Sequence, residues 1–120
     1  MALIFEPGEV DIELTTRPEL TQQHGFVHAG ALASAADSAC GYAALSLMPA
    51  GAAVLSIEFK INMLAPAAGE RIVARGKVIR AGRTITVCSG DVFAVRDGSE
   101  KLVATMQATM MTVENRGLSD

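Results

Sequence analysis

One stretch of the chain gathers residue types that handle a carbonyl group. It runs Gln22-Gln23-His24-Gly25-Phe26-Val27-His28-Ala29-Gly30 and passes directly into Ala31-Leu32-Ala33-Ser34-Ala35-Ala36-Asp37. A polar, glycine-bearing loop turns into a helix of small residues, and its first free backbone N–H groups fall near His28 to Gly30. Those donors, with the helix dipole behind them, favour negative charge. Asp37 follows on the same helix, in a neighbourhood with no other charge. A lone carboxylate in an apolar helix is costly unless it is paired or put to use. The combination predicts a site that holds an oxyanion near a working acid. On helical spacing, Gly30, Ala33, Ser34, Asp37, Gly41 and Ala44 share a face, whose small side chains leave room for a ligand. The plain structural alternatives are a solvent-facing Asp37 and an ordinary helix cap.

The elements that must position these residues can be read from the hydrophobic pattern. Val10, Ile12 and Leu14 alternate with Asp11, Glu13 and Thr15, a half-buried strand that Arg17-Pro18 ends. The site loop leads into a helix from about Ala29 to Met48, stopped by Pro49 and Gly51. Its alanine and glycine content predicts close backbone packing on a sheet rather than a solvated amphipathic helix. Leu55, Ile57, Phe59, Ile61 and Met63 then alternate with Ser56, Glu58, Lys60 and Asn62, a long strand with one apolar face. Pro66 to Gly69 is a turn. Strands over Arg71–Arg80 and Thr84–Arg96 are joined by a short loop at Ala81-Gly82-Arg83, and Asp97-Gly98 leads to a last strand over Leu102–Val113. Glu114 to Asp120 reads as a loose tail. The expectation is an α+β fold: a five-stranded antiparallel sheet, its last four strands a meander, wrapped around one long helix. Apolar positions such as Val73, Ile79, Val92 and Met111 are expected on the second sheet face, where that face or the sheet edge meets another subunit.

Bulk properties restrict the function. A chain of 120 residues suits a single domain over 1–120 with one core. Half of it is hydrophobic and the net charge is −3, with no clustered basic face for nucleic acid. No positively charged leader is visible before Pro7. Ser38 to Ile57 carries no charge, but Pro49, Ala50 and Gly51 break it, and a spanning helix needs roughly 20 unbroken apolar residues. A cytoplasmic protein without membrane or nucleic-acid partners is expected. Cys40 and Cys88 form no CxxC pair and read as reduced core thiols. His24 and His28 lack both the HExxH glutamate and a third ligand, so no metal is expected. Met106, Met110 and Met111 read as core filler.

The loop and helix resemble the signature of hotdog-fold acyl-CoA thioesterases of the PaaI-like type. That signature has an Asn or Gln, then His-Gly-Gly (here His28-Ala29-Gly30), then an Asp nine residues after the His, and later a Gly-Arg turn. The likeness runs from about Gly8 to Val113, and Ala29 replaces the usual first glycine. It implies the hotdog architecture and hydrolysis of an acyl- or aryl-CoA thioester to free acid and coenzyme A. Asp37 then occupies the catalytic carboxylate position, as general base or nucleophile. Backbone N–H groups at Ala29 or Gly30 would receive the oxyanion. Gln22 matches the amide position, His28 the family histidine that shapes the loop, and Ser56 a Ser/Thr that can hydrogen-bond the acid. Strand alternation, however, sets Ser56 opposite the apolar stripe, where it would be a solvent or interface serine. Arg83, beside Gly82 at a hairpin tip, could reach a coenzyme A phosphate; Arg80, Arg75 and Lys60 are weaker candidates. No cofactor is implied beyond the coenzyme A of the substrate. The resemblance also implies a homodimer, often paired further into a homotetramer.

A second class of function stays open: a non-catalytic acyl-CoA-binding or regulatory protein on the same fold. The presence of acid, amide and helix start together favours the enzyme. A hotdog dehydratase would carry a different His–acid run, and none is present.

Overall fold

The computed structural model describes residues 2–22 and 25–114. Its elements are β1 (Ala2–Glu6), β2 (Glu9–Thr15), a short 3-10 turn (Pro18–Leu20), α1 (Ala29–Leu45), β3 (Ala53–Met63), β4 (Arg71–Ala81), β5 (Ile85–Arg96) and β6 (Ser99–Val113). The strands form one antiparallel sheet in the order β1-β2-β4-β5-β6-β3. Two expectations change. The sheet has six strands, not five, because Ala2–Glu6 folds back on β2 through a Pro7–Gly8 turn, with Gly8 at φ +81°. And β3 does not join a meander. It crosses to the far edge and pairs with β6, while β4 pairs with β2. The helix also ends at Leu45, three residues before the expected Met48.

Helix α1 lies on one face of the sheet and buries Leu32, Ala35, Ala36, Ala39, Cys40, Ala43 and Ala44. The sheet receives it at Gly76 and Gly90, which are direct cross-strand partners. A Cβ at Gly76 would lie 2.3 Å from the Ala39 carbonyl oxygen, and one at Gly90 would lie 2.8 Å from Cys40 Sγ. Backbone therefore rests on backbone, which is why the helix is built of alanine. Around this contact Val10, Ile72, Val92, Val103, Met106 and Met110 fill the core. Two positions depart from expectation here. Val92 faces the helix, because its partners Ala74 and Ala104 are core residues, and Ala44 is fully buried rather than on the open helical face.

The other sheet face carries charge over its centre. Arg71 pairs with Glu13, and Arg75 reaches Asp11 at 3.3 Å and Glu100 at 2.6 Å while lying 4.7 Å from the Phe93 ring centre. Thr105 donates to Asp91 at 2.7 Å. The Arg75 guanidinium holds the Glu100 carboxyl below its ordinary range, chiefly by hydrogen bonding.

Candidate active site

Strand β3 decides which side chains meet the helix. Its register against β6 shifts between Ser56 and Glu58, leaving Ile57 as an extra residue. Such a bulge reverses the in–out phase of everything beyond it. Before it, Val54 and Ser56 pair with Thr112 and Met110; after it, Phe59 and Ile61 pair with Ala108 and Met106. Met106, Ala108 and Met110 belong to the core under α1, and direct partners share a face. Ser56 therefore points to the helix side. The uniform alternation read from the sequence, which put it opposite the apolar stripe, is corrected by one inserted residue.

Asp37 comes from the other wall. On α1 the buried face rotates away and leaves Gly30, Ser34, Ser38 and Tyr42 exposed, with Asp37 and Gly41 half-buried beside them. Asp37 and Ser56 line one cavity of about 330 Å³, together with Ser38, Gly41, Tyr42, Val54 and Met110. Asp37 Oδ1 is buried and has no hydrogen-bond partner among the described residues. A buried carboxylate oxygen without a donor is costly and invites a ligand, a water or a second chain to supply one. Sequence reasoning did not single out Tyr42 or Val54. The usable signal for Tyr42 was an aromatic residue in a helix otherwise made of small ones. Met110, expected as core filler, is core and also cavity floor.

The loop before the helix is held by backbone. Gln22 N–H donates to Phe26 at 2.8 Å, Val27 N–H to Ala67 at 2.9 Å and His28 N–H to Leu20 at 2.8 Å. His28 caps α1 with φ −58° and ψ 142°, with no side-chain cap bond; its carbonyl accepts from Ala31 at 3.0 Å and Leu32 at 3.2 Å. No acceptor for the N–H of Ala29 or Gly30 is found among the described residues. Gln22, His28, Ala29 and Gly30 are all exposed. None of them lines the Asp37 cavity. Seven residues of helix separate Gly30 from Asp37, roughly 10 Å along the axis. His24 lies outside the described residues, as does the tail beyond Glu114; among the described residues no cluster could hold a metal ion.

Gly82 and Arg83 stand at the opposite end of the sheet from the helix start. Gly82 N–H donates to Ile85 at 2.8 Å in the β4–β5 turn, and a Cβ at Gly82 would lie 2.6 Å from the Ile85 carbonyl oxygen. This end also holds the helix C-terminus, through Gly8 N–H to Ser46 Oγ at 2.7 Å and Val78 N–H to Gly8 at 2.8 Å. The helix start is fastened at Ala67, before β4 begins. Arg83 is thus remote from the helix start of its own chain. Cys40 and Cys88 are buried thiols, and burial pushes them up to about 12 and about 11. Neither has the character of a nucleophile. No helix among the described residues is long and apolar enough to cross a membrane.

The comparisons with known proteins agree with this architecture. The crystal structure of a thioesterase family protein from Silicibacter pomeroyi is 49% identical and superposes with a TM-score of 0.94, covering 96% of this chain and 85% of that one. A mutant structure of the phenylacetic acid degradation protein PaaI from Thermus thermophilus is 26% identical at a TM-score of 0.78, over 92% and 90% of the two chains. A candidate esterase of Saccharolobus solfataricus is 37% identical over 69% of this chain and 59% of its own length. A second, from Halobacterium salinarum, is 31% identical over 78% and 64%. The chain thus spans about three-fifths of the length of these curated relatives. The thioesterase superfamily profile matches residues 24–101, which include the helix start, Asp37, the β3 bulge and the Gly82-Arg83 turn, and the chain belongs to that superfamily.

Proposed function

We propose that this protein hydrolyses acyl-CoA thioesters, with Asp37 as the acid–base or nucleophilic residue and the N–H groups of Ala29 and Gly30 as the oxyanion hole. The observation that carries the reading is Asp37 itself. Its Oδ1 is buried without a donor among the described residues, in a cavity that also holds a hydroxyl, Ser56. As a base, Asp37 takes a proton from water while the water oxygen attacks the thioester carbon. The carbonyl oxygen gains charge, the helix-start donors hold it, and collapse of the adduct expels the coenzyme A thiolate, leaving the free acid. As a nucleophile, the carboxylate attacks the same carbon and the C–S bond breaks to expel the coenzyme A thiolate; water then cleaves the resulting mixed anhydride, releasing the free acid and regenerating Asp37.

We further propose that the site is completed by a second copy of the chain. Strand β3 is an open edge of eleven residues with Leu55, Ile57, Phe59 and Met63 all more than two-fifths exposed. A long apolar edge of this kind favours strand addition. Antiparallel pairing of two β3 edges about a two-fold sets both helices on one face, running in opposite directions. Each helix start then approaches the other chain's Asp37. Each Gly82-Arg83 turn, remote from its own helix start, approaches the partner's, where Arg83 would meet a coenzyme A phosphate. Further pairing of dimers into a tetramer would use the outer apolar residues Leu55, Ile85 and Met111, which are cross-strand neighbours.

The test is free-thiol release from a panel of acyl-CoAs, compared between the native protein and Asp37→Asn. Hydrolysis by the native protein and a loss of at least ~10²-fold in the variant are expected. A folded Asp37→Asn with native turnover would end the assignment, and a native protein that binds acyl-CoA without releasing thiol would be a binder on the same fold.

A further inference from the structure

The open edge of the sheet carries two opposite charges that have no use within the chain. Beyond the bulge at Ile57, Glu58 and Lys60 stand two residues apart on the outer face of β3, opposite Thr109 and Gln107 of β6. The next strand adds only Val87 and Ser89 to those two rows. Neither charge is in an ion pair among the described residues. Between them Phe59 turns to the helix side, yet it is 46% exposed although its partner Ala108 is core. An aromatic ring left half open at an unpaired edge, with an acid on one side and a base on the other, is a self-complementary surface.

Charge selects one way of pairing it. When two β3 edges meet antiparallel about a two-fold, direct partners share a face, so the axis falls on a residue and its copy. An axis at Glu58 sets two glutamates against each other, and an axis at Lys60 sets two lysines together; like charges directly opposite are destabilising. An axis at Ile61 leaves Lys60 beside Asn62 and Glu58 beside Leu64, past the strand end at Met63. An axis at Ile57 sets bulge against bulge and leaves Glu58 beside Ser56. An axis at Phe59 brings the two rings together and sets each Glu58 directly opposite the partner's Lys60, twice over by symmetry. We propose that this chain pairs with a second copy in that one register, with Phe59 on the two-fold and a Glu58–Lys60 pair on either side. This rests on the shared-site reading above and adds the contact that builds the site. Ser56 then lies near the partner's Asn62, at the end of the strand from which Ala67 fastens the helix-start loop. The register that charge selects thus also carries the partner's helix start towards the cavity of Asp37. Lys60, a weaker phosphate candidate on sequence, has this partner instead.

Cysteine cross-linking reads the register. Glu58→Cys, Phe59→Cys and Lys60→Cys are each oxidised mildly and their masses compared without reductant, with the native chain, whose two cysteines are buried, as control. Directly facing residues of an antiparallel pair have Cα atoms about 5 Å apart, within disulfide reach, whereas the two copies of position 58, or of position 60, would be roughly 8 Å apart and beyond it. Phe59→Cys alone is expected to form a covalent dimer. A second test needs no cysteine. Glu58→Lys and Lys60→Glu should each weaken self-association about ten-fold, since each replaces two opposite pairs by two like ones. Mixed together, they should form mixed dimers well above the half expected by chance. The double variant Glu58→Lys/Lys60→Glu should dimerise like the native protein and exclude it. Cross-linking at position 58 or 60, cross-linking at none of the three, or random mixing of the two charge variants would overturn the register; a native molar mass of a dimer would then leave the shared-site reading standing. A native protein that is monomeric by light scattering at micromolar concentration would overturn both.

Discussion

Ser56 faces the same cavity as Asp37 because strand β3 contains one residue more than its partner requires. Ile57 has no counterpart on β6, so Ser56 opposite Met110 and Phe59 opposite Ala108 both turn inward although three positions separate them. Without the bulge, either the hydroxyl or the apolar residues beyond it would face away from the helix.

This relationship gives a direct test. Ser56→Ala should reduce thioester turnover by roughly three- to ten-fold with little change in stability, as expected for loss of one side-chain hydrogen bond worth about 1 kcal/mol. Deleting Ile57 should be far worse, because regular pairing then reverses the faces of Val54 and Ser56 relative to Phe59 and Ile61. The measurements are kcat for acyl-CoA and the urea midpoint of each variant. A deletion variant with native stability and turnover would show that the bulge does not set the face of Ser56.

Asp37 should weaken the fold that carries it. Its Oδ1 is buried without a hydrogen-bond donor among the described residues, and aspartate is a poor residue for a helix interior. Asp37→Ala is expected to raise stability by about 1 kcal/mol, a shift of several degrees in thermal midpoint for a domain of this size. Calorimetry of the two proteins at pH 7 checks it. A clear fall in midpoint would mean that a second chain satisfies the carboxylate in the resting assembly.

The paired glycines should tolerate no side chain. A Cβ at Gly76 would meet the Ala39 carbonyl at 2.3 Å and Cys40 N at 2.7 Å, both backbone atoms of a packed helix. Gly76→Ala must lift α1 off the sheet and is expected to cost about 3 kcal/mol, at the upper end for overpacking. Gly90→Ala meets a cysteine sulfur first, at 2.8 Å, which can turn aside more readily, so it should cost less. Denaturant titration ranks the two; equal, small effects would show that helix and sheet separate easily.

The sequence pattern carried the faces of most elements but not their neighbours. Small residues in α1 announced a helix lying close on a sheet, and the alternation in β2 matched its half-buried state. Strand order was not encoded in the same way: nothing in the alternation of β3 says that it pairs with β6 rather than β4. The apolar run of Leu3, Ile4 and Phe5 has no alternation, so β1 gave no strand signal, and the Pro7-Gly8 pair after it was an available turn signal that was not used. In β3, Leu55, Ile57 and Phe59 look like one stripe, but the bulge puts Leu55 beside Met111 on the outer face and Phe59 on the inner one. Gly76 and Gly90, each alone inside a strand, were the available hint that another backbone comes close.

Alkaline pH should loosen the protein through its two buried thiols. The Cys40 and Cys88 thiols are raised from 9.0 to about 12 and about 11, Cys88 by burial and Cys40 chiefly by burial, with the neighbouring Cys88, Asp37 and Asp91 adding to it. Below pH 9 folded and unfolded chains both keep these protons. Between pH 9 and the raised values only the unfolded chain releases them, so it binds fewer protons and stability falls as pH rises. The slope should approach about 1 kcal/mol per pH unit for each thiol. Urea unfolding at pH 7.5, 9 and 10.5 measures it, and Cys40→Ala should have a shallower decline. Equal slopes in the two proteins would place the alkaline sensitivity elsewhere.

The shared site can be tested with two variants that each remove one half of it. Asp37→Ala removes the acid. Ala29→Pro removes one helix-start donor while suiting the local backbone: position 29 is the first residue of α1, where proline is favoured, and His28 before it already has the extended ψ of 142° that proline requires of its predecessor. Its N–H has no acceptor among the described residues, so no internal hydrogen bond is lost. Each variant alone is expected to fold, to assemble, and to lose at least ~10²-fold in turnover, the usual cost of removing an acid or an oxyanion donor. When the two are mixed and exchanged, each mixed dimer has one site with both defects and one with neither. Activity should then return to about a quarter of the native level at equal proportions, since half of the dimers are mixed and each regains one of two sites. Exchange is followed independently by mass spectrometry of a tagged chain. Mixed dimers that form and stay inactive would show that each chain carries a complete site, and the roughly 10 Å between Gly30 and Asp37 would then have to be spanned within one subunit.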